Sequence, residues 1–467
     1  MKDTHQSYWR SIDFDQMLAE HPIGDDFVAF ATSVSREALR AHQNKLFLRC
    51  VARAWRIPFY QRLWGAAGIE PGDIRSIDDL PRLPMFSKSD IMESLKLAPP
   101  FGDFAGFESY PADQKPPAIM HTTSGTTGDP QVLLFGPKSR EVQNLLLARS
   151  FRFQGLRPDD VIHSVYGHGM INGGHYVREA LTHWTSATFM SAGTGVETRS
   201  LQQVELMKRF KATVIAGFAD YVKKLADVAR ENGIEPGRDI PLRMISGQLG
   251  REDKAVMKEV WGVDQCFDWY GVGDTGLIAG EGPDQDGLYI HEDAHYVELC
   301  DIDTGAPVAD GELGDMVVTC LFKDDLYPII RFNTHDVSRR LTGKSSIGIQ
   351  YDRIAGFLGR SDNMVKIRGI NIFPHGVGAM LEEFDAFAGE FICLARRDQG
   401  GRDSFVVVAE TTAPEASYAD VSRVFGEALK RKIGIEVEIE LTPKGATAAR
   451  TQIDVRQKPI RLIDERK

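Results

Sequence analysis

The sequence of 467 residues predicts an α/β fold in two parts: a large N-terminal domain of helix-covered sheets, residues 1–361, and a small α+β C-terminal domain, residues 362–467. Three observations predict it. The chain is longer than a single hydrophobic core usually serves. Apolar runs of strand length, VIHSVY (161–166), ATVIAGF (212–218) and GDMVVTCLF (314–322), are separated by helix-period stretches such as 202–209 and 219–232, the alternation that builds sheets covered by helices. After residue 360 the pattern shortens to strand MVKIRG, helix 377–386, strands FICLARR and SFVVVAE, helix 417–432 and strand EVEIEL, enough chain for a small core of its own.

Taken in order, residues 35–60 carry apolar residues at helical spacing until Pro58, which ends a helix or starts a new one but does not continue it. FSKSDIME (86–93) reads as a capped helix start, with Ser and Asp three residues apart. In VELCDIDTGAPVADGELGDMVVTC the turn signals TG and DG separate two β-rich runs, which predicts a hairpin. No internal repeat or low-complexity tract interrupts the chain.

Composition excludes several classes. Lys plus Arg number 55 against 66 Asp plus Glu, a formal charge of -11, which argues against non-specific binding to nucleic acid or to an anionic membrane. No apolar run is long enough to cross a bilayer, and the start MKDTHQSYWRSIDFD is too polar for a secretory leader. Five scattered cysteines without metal-ligand spacing are expected to be reduced, mostly buried thiols of a cytoplasmic protein.

The strongest chemical signal is HTTSGTTGDP (121–130). Thr123, Ser124, Thr126 and Thr127 alternate with Gly125 and Gly128. Glycines admit close backbone approach, and hydroxyls with successive N–H groups make an anion cradle. The GK[ST] ending of a Walker loop is missing, so this is a phosphate loop of another kind.

The loop resembles the phosphate-loop signature of the acyl-adenylate-forming (AMP-binding) superfamily. From about residue 50 to 466 the chain is most similar to its phenylacetate–CoA ligase branch. Further motifs follow in the order that resemblance requires. In DWYGVGDTGLIAGEG (268–282) it implies that Tyr270 stacks on adenine and that Asp274, where glutamate is usual, holds Mg²⁺. In YPIIRFNTHDVS (327–338) it implies that Asp336 binds the ribose hydroxyls. His335 stands there in place of a frequent glycine and reads as a packing residue rather than a base. In GFLGRSDNMVKIRGINIFP (356–374) Arg360 matches a ribose- or phosphate-facing arginine, Asp362 the hinge of a mobile C-terminal domain, and Gly369 a glycine of the acceptor channel. In QKPIRLIDERK the adenylation lysine matches Lys458, with Arg461, Asp464 and Arg466 in register; Gln457 replaces a glycine, and Lys444 is the second candidate. HSVYGHGMINGGHY (163–176) matches the acyl-pocket wall: Tyr166, His168, Met170 and Asn172, joined by Phe218, Tyr221 and Gly247 of SGQLG, where Gln248 replaces a frequent acid.

The resemblance thus implies a ligase that uses ATP and Mg²⁺ to convert an aryl or cyclic carboxylic acid to acyl-AMP, with Lys458, Asp274 and Thr126 as the catalytic residues. For the second step the reading taken is transfer to an amino-acid amine, as in coronafacate ligase; the alternative is the thiol of coenzyme A. A nucleotide-binding homologue without activity is a remote alternative, because Asp274, Gln248 and Gln457 all depart from the family pattern. Expected partners are the acid and the amine or CoA, with no nucleic acid and no membrane, and a homodimer is compatible with the branch.

Overall fold

The computed structural model describes residues 7–123, 130–249, 251–362, 364–368, 370–397, 402–453 and 459–466. The chain begins with helices α1 (Phe14–Glu20), α2 (Asp25–Ser33), α3 (Arg36–Ala54), α4 (Pro58–Ala66) and α5 (Lys88–Leu97). Pro58 therefore opens a helix: α3 stops at Ala54 and proline takes the first turn of α4, where a missing N–H costs nothing. The predicted cap at α5 forms, with the Asp90 carboxylate accepting from the Ser87 N–H at 2.7 Å.

A hairpin of β1 (Ile119–Thr122) and β2 (Val132–Phe135) precedes α6 (Pro137–Phe153). Then follow β3 (Val161–Ser164), α7 (Asn172–Trp184), β4 (Thr188–Ser191), α8 (Ser200–Arg209), β5 (Val214–Phe218), α9 (Ala219–Glu231), β6 (Met244–Gln248), α10 (Arg251–Trp261) and β7 (Gln265–Val272). The chain continues through β8 (Gly276–Glu281), β9 (Leu288–Ile290), β10 (His295–Cys300), β11 (Gly314–Cys320), β12 (Phe332–Ser338), β13 (Arg340–Leu341) and β14 (Arg353–Ile354). Among the described residues one sheet runs β13-β14-β9-β8-β7-β6-β5-β3-β4. From β4 to β7 it is parallel; from β7 to β13 it is antiparallel. The central parallel strands β3, β5 and β6 are largely buried, as strands covered by helices are. α6 is buried along most of its length. Its Arg149 is fully enclosed and is neutralised by Asp293 at 2.7 and 2.8 Å, as a buried cation must be. The predicted hairpin is β10 against β11, with Val297 opposite Val318.

The second unit holds β15 (Gly359–Arg360), β16 (Val365–Ile367), β17 (Ile370–Ile372), α11 (Val377–Leu381), β18 (Phe387–Arg397), β19 (Asp403–Thr411), α12 (Tyr418–Ile433), β20 (Glu438–Pro443), α13 (Ala448–Thr451) and β21 (Leu462–Asp464). Its main sheet is ordered β20-β19-β18-β21. α11 and α12 cover one face of that sheet around Phe391, Phe405, Phe425 and Leu429. The helix predicted to reach 386 ends at Leu381, because Phe384 and Phe387 turn back to pack on that core.

The first unit comprises the chain to Thr334 and Ser338–Gly356; the second takes His335–Val337 and the chain from Phe357. The division thus falls five residues before the expected 361/362 boundary. β15 explains the difference: it pairs with β12 through Asp336 opposite Arg360 and Val337 opposite Gly359, a long-range contact invisible to local sequence. No helix among the described residues is long and apolar enough to cross a membrane.

Candidate active site

In the parallel half of the large sheet the chain leaves β3 to form β4 on one side and returns to form β5 on the other. The carboxyl ends of strands at such a switch point are where open α/β sheets bind ligands. Some of the residues predicted for the acyl pocket lie at these strand ends. Tyr166 follows β3, Phe218 ends β5, and Gly247 and Gln248 end β6. The Tyr166 and Phe218 rings meet edge to face at 4.8 Å, and Trp269 of β7, which sequence reasoning passed over, stands 6.0 Å from Tyr166. Offset and edge contacts of this kind fix ring positions. His168 is half-buried; its Nε2 lies 2.7 Å from Ser191 Oγ and its N–H donates to Glu197 at 2.9 Å. Burial lowers its pKa, so the neutral imidazole is favoured. Met170 is exposed.

Three of the predicted pocket residues also have local structural roles. Asn172 opens α7 and turns inward, its Oδ1 accepting from the buried Arg140 guanidinium at 2.7 Å. Gly247 is glycine for a backbone reason: an ideal Cβ would lie 1.7 Å from the carbonyl oxygen of Gly217 on β5. Tyr221 ties its hydroxyl to Ser200 Oγ at 3.0 Å.

Asp274 sits just beyond β7. Its Oδ1 accepts from Gln131 Nε2 at 2.6 Å and from the Tyr327 hydroxyl at 3.0 Å. Gln131 Nε2 also reaches that hydroxyl at 2.9 Å. Lys323, fully buried, donates from Nζ to the Asp274 carbonyl at 2.9 Å. The same ammonium lies 4.8 Å from the Tyr327 ring centroid and 5.4 Å from that of Phe135. Burial pushes the Asp274 carboxyl up, against the pull of Lys323 and of the two hydrogen bonds, and burial pushes Lys323 down. Oδ2 carries no hydrogen bond among the described residues, so one carboxylate oxygen is held and the other is available. This fits a hard divalent cation. Mg²⁺ typically takes one or two carboxylates and completes its shell with substrate phosphates and water, so it needs no larger cluster of protein ligands.

Of the phosphate loop, Ser124, Gly125, Thr126, Thr127 and Gly128 lie outside the described residues. Its two flanks are joined: the Thr123 N–H donates to the Gln131 carbonyl at 3.0 Å. Lys88, at the start of α5, brings Nζ to 3.5 Å from Thr123 Oγ1. Sequence reasoning missed Lys88, Gln131, Lys323 and Tyr327. A charged residue inside the apolar run VVTCLFKDDLYPII was the available signal for Lys323. Tyr270 lies in β7 with its ring buried among Ile278, Val297 and Met316, and its hydroxyl is 3.5 Å from Thr334 Oγ1.

In the second unit Arg360 bridges two acids. Nη1 donates to Asp336 at 2.8 Å and Nε donates to Asp362 at 2.7 Å. His335 has φ +56°, the left-handed region that favours glycine. Gly369 and Lys458 lie outside the described residues. Lys444 is exposed in the turn after β20. That turn closes on the buried Glu410, which accepts from the N–H groups of Gly445 at 2.6 Å and Thr447 at 2.8 Å. Arg461 pairs with Glu390 at 2.7 Å, and Arg466 with Asp403 at 2.6 Å and Asp464 at 2.8 Å.

The chain is similar to known proteins. Residues 369–466 match the AMP-binding enzyme C-terminal domain family. A phenylacetate-coenzyme A ligase of Aromatoleum evansii is 32% identical over 82% of this chain and 84% of its own. One from Thermus thermophilus is 30% identical over 88% and 94%. The chain belongs to the phenylacetate–CoA ligase family of AMP-binding enzymes. It is an ATP-dependent, AMP-forming ligase. A solved structure of 2-hydroxyisobutyryl-CoA ligase in its postadenylation state shares the fold of this family member, with a TM-score of 0.80, 24% identity, and 93% and 91% of the two chains covered.

Proposed function

We propose that the protein activates an aryl or cyclic carboxylic acid as its acyl-AMP and passes the acyl group to the thiol of coenzyme A. The aromatic wall of Tyr166, Phe218 and Trp269 at the switch point of the sheet carries the choice of acid, because a flat ring gains most from edge and face contacts. The names of the relatives support the acceptor.

In the first step a carboxylate oxygen of the acid attacks the α-phosphorus of ATP, an acyl–O–P bond forms, and pyrophosphate leaves. This demands in-line positioning and neutralised charge more than a base. Thr123, Ser124, Gly125, Thr126, Thr127 and Gly128 cradle the phosphates, Asp336 and Arg360 take the ribose, and Tyr270 borders the adenine. Lys458, with Lys444 as the second candidate, stabilises the charge that develops as pyrophosphate departs. Asp274 is the residue that would hold Mg²⁺, which would neutralise phosphate charge. In the second step the acceptor attacks the acyl carbon and AMP leaves. Reorientation at Asp362 exchanges the lysine for the acceptor channel at Gly369, so one site serves both steps in turn. The five free, buried cysteines suit a reducing compartment such as the cytoplasm.

Transfer to an amino-acid amine is the second reading, favoured by Gln457 in place of the family glycine before Lys458. Mass spectrometry of products separates the two. The purified protein is given ATP, Mg²⁺ and a pool of aryl and cyclic acids, with CoA in one sample and mixed amino acids in another. The expected outcome is an acyl-CoA found only with CoA. An N-acyl amino acid formed without CoA replaces the thiol by the amine. Nucleotide binding with neither product nor acid-dependent pyrophosphate exchange identifies an inactive homologue.

A further inference from the structure

Asp274 is one methylene shorter than the glutamate usual at its position, yet its surroundings are not generic. Tyr327 adopts φ +56°, a conformation a bulky residue rarely takes and one that persists only where neighbours over-determine it. That backbone carries the Tyr327 ring beneath the Lys323 ammonium and its hydroxyl to both Asp274 Oδ1 and the Val132 carbonyl, the latter at 3.1 Å. Gln131 is fully buried and spends its side-chain amide on Asp274 and Tyr327. Its backbone meanwhile closes the base of the phosphate loop against Thr123. Lys323 fixes the other end of the acid by binding its main-chain carbonyl. Two separate stretches of sequence thus converge on one aspartate: Gln131 and Tyr327 hold a single carboxylate oxygen, and Lys323 holds the main-chain carbonyl.

We infer that Gln131, Tyr327 and Lys323 are positioning residues that act as a matched holder for the short acid, presenting Oδ2 of Asp274 to the magnesium of bound ATP. The inference rests on the reading of Asp274 as the magnesium-facing residue. Its consequence is specific to this chain. Restoring the glutamate usual in the family would not help, because the added methylene drives the carboxylate into the space that Gln131 and Tyr327 fill. Tyr327→Phe keeps the ring over Lys323 and removes only the hydroxyl. Asp274→Glu keeps the charge and changes only the reach.

The test uses the full chain and a non-hydrolysable ATP analogue, whose affinity is measured by titration calorimetry over a range of Mg²⁺ concentrations. Wild type should bind more tightly as Mg²⁺ rises. Tyr327→Phe should need about tenfold more Mg²⁺ for half the gain, the scale expected when a hydrogen bond to a charged group is lost. Affinity for the analogue without metal should stay within about twofold, which a general loss of structure would not allow. Asp274→Glu should likewise weaken the metal response, and adding Gln131→Ala to it should recover part of the loss. If Tyr327→Phe and Asp274→Glu both keep the wild-type Mg²⁺ response, the holder has no such role and the inference falls while the magnesium reading stands. If wild type itself shows no Mg²⁺ dependence, the reading of Asp274 fails and the inference with it. Urea denaturation of each variant without ligand confirms that the compared proteins are folded.

Discussion

At the scale of single residues, His335 separates chemistry from conformation. It lies beside Asp336 in the motif YPIIRFNTHDVS, and an imidazole there invites the role of base. The backbone tells otherwise: φ is +56°, and the ring Nδ1 lies 3.3 Å from Ser361 Oγ. A strained non-glycine residue costs about 1 kcal/mol or more, while glycine gains little because it frees the unfolded chain by about the same amount. Alanine keeps the strain and loses the ring contact. His335→Gly should therefore be at least as stable as His335→Ala in urea titrations, reversing the usual order. Both should keep acid-dependent pyrophosphate exchange within about threefold, since an effective general base contributes far more than that. Exchange reduced a hundredfold in both variants, with loss of one limb of the pH profile, would falsify the conformational account. The sequence made the motif legible here, because glycine is usual at this position. It could not reveal the clasp on Asp274, because Gln131, Lys323 and Tyr327 come from segments whose meeting depends on the fold.

At the scale of elements, the buried parallel strands were the easiest to read, since continuous apolar runs such as VIAGF have few other places to go. The breaks were harder. Pro58 both ends one helical period and begins another, and only packing decides which. One strand carries an unexpected group. His163, in the middle of β3, is fully buried with Nε2 2.9 Å from Gln203 Oε1. The Gln203 amide nitrogen donates to the carbonyls of Gly193 and Thr198 at 3.1 and 2.8 Å, so its oxygen faces the ring and the His163 proton resides on Nε2. Burial lowers the His163 pKa to about 4, opposed only by that hydrogen bond. Between that value and the unfolded pKa of about 6.5 the unfolded chain binds the extra proton and the native one does not. The contribution is complete above about pH 6.5 and is lost as pH falls towards 4, at about 1.4 kcal/mol per unit. His163→Gln removes this liability. The variant should be less stable than wild type at pH 7, and the gap should narrow by about 2 kcal/mol at pH 5. A gap that does not change with pH would mean that His163 takes up its proton as readily in the native strand as in the unfolded chain.

At the scale of the whole molecule, the chain divides into two compact units, and the order strand, helix, two strands, helix, strand after residue 360 made a small α+β unit legible in the sequence. The boundary itself was not, because β15 joins residues 335–337 to a segment more than twenty positions away. Asp362, the expected hinge, is held through its carboxylate by Arg360, and the proposed two-step reaction requires its backbone to change between steps. That separates two effects of mutation. Asp362→Asn leaves the backbone free and weakens the pair with Arg360. Asp362→Pro fixes φ near −65° and removes an N–H. If the hinge alternates between steps, the proline variant should keep one of them: pyrophosphate exchange within about fivefold of wild type, with acyl transfer to the acceptor reduced more than about a hundredfold. The asparagine variant should lower both steps alike and modestly. Single-turnover measurements with preformed acyl-AMP isolate the transfer step, so that slow adenylation is not mistaken for slow transfer. Parallel loss of both steps in Asp362→Pro, or normal transfer, would show that the backbone at 362 stays fixed through the reaction and that the movement between steps must be sought elsewhere in the chain.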